Sequence, residues 1–276
     1  GLLENIPGWS FVDWTVGWSH NGVPPSAGLN SGVSSIINLF WNLAMKSTAA
    51  VERALGNELQ AKYWEEKSKK LSKKIDELFW SEKMGMLADD VKKSHFSEHA
   101  QSLALIGDVL PGDKAAKAFE GLITNEKLKR CTVYFSYYLF ETYFKFGRGD
   151  LFLKRLDLWR DYVKKGLTTT QEAPDKGKNE SRSDCHAWGA HPIWFMQTGL
   201  AGIKSDGEFF SKVLVSPSPG SLKEISAKHP HHKGWIEVDL KFDGDKATGV
   251  VKTPVPGTFK FKGMSVDLIA GENIIK

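Results

Sequence analysis

The chain has 276 residues, 41% hydrophobic and 25% charged, enough to bury one large core or two ordinary ones and too apolar for a disordered or fibrous protein. Its 37 Lys and Arg against 33 Asp and Glu leave +4, spread along the chain, which gives no ground for a nucleic-acid groove or a membrane-binding face. No run approaches the ~18 apolar residues of a transmembrane helix, and Cys131 and Cys185 are too few for a disulfide scaffold. Ten tryptophans are a heavy load, and aromatic platforms are one use for them. The first residues, Gly-Leu-Leu-Glu-Asn, carry neither Met nor a signal-like run, so a processed protein or a piece of a longer one is expected. The compartment stays open.

Helical spacing of apolar residues predicts a first helix over 30–55, with Asn30 as cap and Gly56 as stop. A second follows over 58–80. Its Lys67, Lys69, Lys70, Lys73 and Lys74 alternate with Glu65, Glu66 and Asp76, which reads as a solvated face. After the loop SEKMGMLADD come helices at 97–107, capped by Ser97, and at 113–122, opened by LPGD. Residues 132–146 and 150–165 pair across the turn GRG, and a last helix is expected at 184–199 beyond the loop GLTTTQEAPDKGKNESR. That makes seven helices, mostly in antiparallel hairpins. From Gly207 the signal is β: VLVSPSPG, GWIEVDLKF, KATGVVKT, GTFKFKG and MSVDLIAGEN alternate or run β-branched between Pro-Gly, Asp-Gly and Gly-Glu-Asn turns. The expected architecture is mainly α with an all-β tail, divided into 1–204 and a small antiparallel β-sandwich at 205–276. Hairpins that close into a toroid come in pairs, so seven helices suggest a ring cut open.

Three segments carry candidate chemistry. In WSFVDWTVGW, Asp13 stands among Trp9, Trp14 and Trp18. A carboxylate beside aromatic faces can take sugar hydroxyls while the C–H face of the ring lies on the aromatic plane. The alternative is a hydrophobic plug with Asp13 as a helix cap. In Thr168-Thr169-Thr170-Gln171-Glu172, a loop glutamate held by hydroxyls can serve as a general base that activates water; the alternative is a Thr-rich turn with a surface acid. In SDCHAWGAHP, His186 lies near a helix start with Asp184 as its cap, placed to exchange hydrogen bonds with ligand hydroxyls; the alternative is a satisfied structural histidine. His186 and His191 are five apart, on different helix faces, so they are no metal pair.

Two patterns are decoys. His95-Phe96-Ser97-Glu98-His99 spells a zinc-peptidase motif, but Ser97 as cap leaves His95 outside the helix, and only Glu172 or Glu180 offers a third ligand. His229-Pro230-His231-His232 reads as a Pro-broken, solvated turn before a strand.

The ordered set of FVDW, FWSEKMGMLADD, YFSYYLFETYFKFG, TTTQE, SRSDCHAWGAHPIWFMQTGLAGIKSDG and LVSPSPG resembles the bacterial α-L-rhamnosidases, inverting glycoside hydrolases built on a six-hairpin α/α barrel with a C-terminal β-sandwich. The resemblance covers essentially the whole chain. It implies that Glu172 is the general base, that Asp13 binds rhamnose hydroxyls, and that His186 and the aromatic Trp18 belong to the sugar subsite. It implies a rhamnose-containing glycoside or polysaccharide as substrate, and no metal or organic cofactor. The family's general acid lies in a D-x-x-R-x-E segment upstream of FVDW, which does not occur here, and the loop between Glu172 and His186 is short for the family. The expectation is therefore the C-terminal portion of such an enzyme, inactive alone and needing the N-terminal half of the same protein to complete the barrel. The alternatives are another α-toroid glycosidase or polysaccharide lyase, or a non-catalytic carbohydrate-binding module.

Overall fold

The computed structural model describes residues 1–18, 22–28, 30–173 and 183–276. These fall into two compact units, one of Gly1–Thr142 with Ala173, the other of Tyr143–Glu172 with Ser183–Lys276.

In the first unit, α1 (Ser35–Ala54) and α2 (Glu58–Phe79) pack side by side as a hairpin. Their buried stripes, Ile36, Leu39, Met45 and Ala49 on one and Ala61, Leu71, Ile75 and Phe79 on the other, repeat at helical spacing. Asn42 of α1 ties them, donating to Ser68 O at 2.9 Å and Ser72 Oγ at 3.0 Å. Gly56, at φ +81°, lets the chain leave α1 in the left-handed region and turn. Lys67, Lys69, Lys70, Lys73 and Lys74 of α2 are exposed. A two-stranded ribbon follows, β1 (Trp80–Ser81) with β2 (Met86–Leu87), then α3 (Glu98–Ile106) and α4 (Asp113–Thr124). Ser97 caps α3, accepting from the Ala100 N–H at 3.2 Å. Asn30, by contrast, is not the cap of α1. It sits at φ 59°, and the N-cap position falls to Ser34, because Ser34 bridges to Asp90 and the Ser35 N–H donates to Asp89 O at 3.0 Å before the helix begins.

Beyond α5 (Ser136–Lys145), the segment expected as one helix at 150–165 is two, α6 (Gly149–Arg155) and α7 (Asp157–Lys164), parted at Leu156. The last predicted helix is broken further. A 3₁₀ turn at Ala187–Ala190 leads into α8 (Pro192–Phe195) and a π-turn at Met196–Leu200. Pro192 has no N–H to extend the preceding turn, so a new start is made there. His186, not Asp184, occupies the N-cap position of this series.

The β part is two four-stranded sheets. One has the order β10 (Gly271–Ile275), β7 (Lys246–Thr253), β6 (Gly234–Asp243), β5 (Glu224–His231); the other has the order β3 (Ile203–Ser205), β4 (Val213–Val215), β8 (Gly257–Phe261), β9 (Met264–Leu268). All pairings are antiparallel except β4 with β8. In β6, Ile236, Val238, Leu240 and Phe242 alternate inward, and Phe242 meets Phe261 of β8 at 5.2 Å, so the sheets face each other across an apolar layer. His229-Pro230-His231 is not a turn. It is the end of β5, with Pro230 opposite Trp235. Proline is tolerated because β5 is an edge strand, where the missing N–H has no ladder partner to lose.

Candidate active site

In the first unit the FVDW segment is extended, held by the Val12 and Asp13 N–H groups, which both donate to Gly22 O. It drives the Asp13 side chain fully into the interior, at 0% exposure. There the carboxylate gathers five donors. Oδ1 accepts from the Trp14 N–H at 2.9 Å and from the Thr132 hydroxyl. Oδ2 accepts from the Thr132 N–H at 2.6 Å, His99 Nε2 at 2.9 Å and the Thr15 hydroxyl at 3.2 Å. Five donors on two oxygens fix its position. Asp13 is thus no helix cap.

His99, in the first turn of α3 and fully buried, packs its ring between Phe135 at 4.2 Å and Trp18 at 4.4 Å. Asp13 and Trp18, two of the sequence candidates, therefore meet on the same imidazole. Trp9 turns outward, 63% exposed, with Phe11 5.4 Å away, and Phe11 in turn contacts Trp14 at 5.0 Å. Nearby, Asp89 accepts from the Ser97 hydroxyl at 2.7 Å, and burial pushes its carboxyl up to about 6 against that bond. His95 bonds Asp90 while His99 bonds Asp13, so the two histidines of the zinc-like motif serve different carboxylates. Glu180, the other acid considered for that motif, lies outside the described residues, as does the loop of 174–182.

The second unit holds the other two candidates. The TTTQE and SDCHAWG segments run alongside each other: the His186 N–H donates to Thr170 O at 2.8 Å, and the Glu172 N–H donates to Ser183 O at 3.0 Å. The Thr170 hydroxyl donates to His186 O at 2.7 Å, and the Thr169 hydroxyl to Asp184 O. The Glu172 carbonyl accepts from the Trp188 indole N–H at 2.7 Å. Glu172, 8% exposed, is thus clamped through both of its backbone groups and is not a surface acid. His186 is partly buried with its ring 4.2 Å from Trp188. Gly189 admits no side chain, since a Cβ would stand 2.8 Å from Thr170 Cβ. This explains a glycine in that stretch. His191 bonds Trp188 O at 2.9 Å, and burial lowers its pKa to about 4, so its imidazole stays neutral.

Sequence reasoning missed Thr132, Thr15 and Trp188, and saw His99 only as a decoy. Nothing local marks them; they acquire roles through partners far along the chain.

Helical hairpins followed by two facing β-sheets are the architecture of the α-hairpin glycosidase class. The chain belongs to the family described as the bacterial alpha-L-rhamnosidase 6 hairpin glycosidase domain, whose model matches residues 1–200. It is similar in fold to a rhamnosidase of Bacillus sp. GL1 (23% identity, TM-score 0.76, 88% of this chain and 26% of that one). It is also similar to the α-L-rhamnosidases of Dictyoglumus thermophilum (17%, 0.75, 98% and 34%) and Aspergillus terreus (19%, 0.72, 86% and 30%). The chain thus spans between about a quarter and a third of the length of these structures. No curated protein matches it.

Proposed function

We propose that this chain carries the base side of an inverting glycosidase that releases terminal α-linked L-rhamnose from glycosides or polysaccharides, with Glu172 activating the attacking water. The observation that supports this is the clamp on Glu172, whose N–H and carbonyl are both tied to the SDCHAWG segment, fixing a mostly buried acid in place. A base needs that rigidity, because a displaced water loses its line of attack on the anomeric carbon. His186, on the adjoining segment, takes a sugar hydroxyl. Trp18 supplies an aromatic wall; Asp13, expected to bind rhamnose hydroxyls itself, is fully buried with its carboxylate taken by five protein donors, and instead anchors that wall through His99. In this reading residues 1–204 are part of the barrel and 205–276 the terminal β domain. Inversion also requires an acid, with carboxyl groups about 6.5–9.5 Å apart. That acid is assigned to the part of the fold this chain does not span. No metal or organic cofactor enters the reaction.

The test is Glu172→Gln in the full-length protein. Turnover of an aryl rhamnoside is expected to fall by roughly 10²–10⁴-fold while rhamnose binding persists. A kcat near wild type would overturn the assignment. The chain of 276 residues alone is expected to show no turnover above background.

A further inference from the structure

The second unit contains a cleft of about 780 Å³ that involves neither Glu172 nor His186. It is bounded by the Ser216–Gly220 loop, the start of α6 and the β8–β9 turn. Lys145, Lys204, Lys223, Lys260 and Lys262 line it, against Asp150 as the single carboxylate. That local excess equals the net charge of the whole chain, +4. Asp150 is occupied by a two-pronged bond from Arg148 at 2.8 and 2.7 Å, and Lys262 pairs with Asp245 at 2.7 Å. Lys204, Lys223 and Lys260 have no ion-pair partner among the described residues and are exposed. Five cations gathered on one cleft repel one another, a cost that a bound anion would offset.

The shape and lining narrow the ligand. Phe242 and Phe261 turn their rings into the sandwich core, 7% and 5% exposed, and the half-buried Phe144 stacks its ring on Phe195, so the lining offers little aromatic plane on which a nucleobase could stack. A cleft of this size lies in the range that holds several linked rings, about 300–1,000 Å³, whereas one small anion would leave most of it to water. We propose that the cleft binds an acidic stretch of a glycan, its lysines meeting the carboxylate or sulfate groups of successive sugars. The inference deepens the glycosidase reading, on which the choice of a sugar chain rests, by making the polysaccharide an anionic one.

The experiment is calorimetric titration of the 276-residue chain with a galacturonic acid pentamer, its neutral methyl ester and a sulfated oligosaccharide of similar length. The acid pentamer is expected to bind at least roughly tenfold tighter than the ester, and raising salt from about 50 to about 500 mM should weaken it. The sulfated arm identifies which anionic group the lysines prefer. Lys223→Gln with Lys260→Gln should weaken acid binding roughly 5- to 10-fold, and Lys204→Gln alone about 2- to 4-fold, with the circular dichroism spectrum unchanged. Equal binding of acid and ester, wild-type affinity in the lysine variants, or displacement of the pentamer by inorganic sulfate at matched charge would overturn the proposal. Because the readout is binding, its failure is distinct from failure of Glu172 as a base, which is read by turnover.

Discussion

Asp13→Asn probes the buried carboxylate with almost no change of volume. An amide has one accepting oxygen and one donating nitrogen. Whichever way it is turned, the nitrogen faces a main-chain donor, either the Trp14 N–H on the Oδ1 side or the Thr132 N–H on the Oδ2 side. Neither can accept, so one buried N–H loses its partner, at about 1–3 kcal/mol. The bonds that remain on the amide oxygen, from His99 Nε2 on one side or the Thr132 hydroxyl on the other, lose their charge assistance, roughly 1 kcal/mol more. The total is about 2–4 kcal/mol. With a urea dependence of about 3 kcal/mol/M, the unfolding midpoint should drop by roughly 1 M. Urea titration of both chains, followed by tryptophan fluorescence, measures this directly, and Trp18 on His99 lies close to the site. A midpoint within about 0.2 M of wild type would show that the five-donor cage contributes little, and the account of Asp13 as an anchor would fail.

Two other outcomes are expected. The Asp89 carboxyl is raised to about 6 by burial, so the folded chain holds that proton more tightly than the unfolded one. The stability this supplies is fully present below about pH 4 and is lost as pH rises through about 6. Asp89→Asn should therefore gain roughly 2–3 kcal/mol relative to wild type between about pH 4 and pH 7.5, and a difference independent of pH would contradict the burial argument. Gly149→Ala should lower the thermal midpoint, because the added Cβ runs into the Ser218 carbonyl and stands 3.1 Å from Gly220 N. Overpacking of that kind costs about 1–3 kcal/mol, and an unchanged midpoint would mean the loop shifts freely.

The helices of the first unit and the switch to strands were legible because both depend on local periodicity. Ile36, Leu39, Met45 and Ala49 mark a buried stripe at helical spacing, and Ile236 to Phe242 alternate at two. Breaks were harder to read. The kink at Leu156 and the 3₁₀, α and π series from Ala187 to Leu200 keep a helical apolar pattern while changing hydrogen-bond register, which composition does not record. β5 was hidden because its histidines and proline imitate a turn, and its pairing with β6 depends on edge position. Within the candidate site, residue types and loop positions raised Asp13, Glu172 and His186 beside plainer alternatives, and the family resemblance supplied their roles and singled out Trp18. The bonds that hold them did not show, since Thr132 reaches Asp13 across 119 positions and His99 across 86.

The edge position of β5 has a consequence for solubility. An exposed strand edge is a template on which another chain can extend the sheet. Pro230 withdraws one backbone donor from that edge, and Lys228, paired with Glu237 at 2.8 Å and lying over the Trp235 ring at 4.7 Å, places a cation beside it. An incoming strand would have to leave one carbonyl unbonded and strip water from an ammonium group. The sheet order therefore ends at β5 because growth beyond it is disfavoured, and two residues that obscured the strand in the sequence are what keep it from recruiting a neighbour.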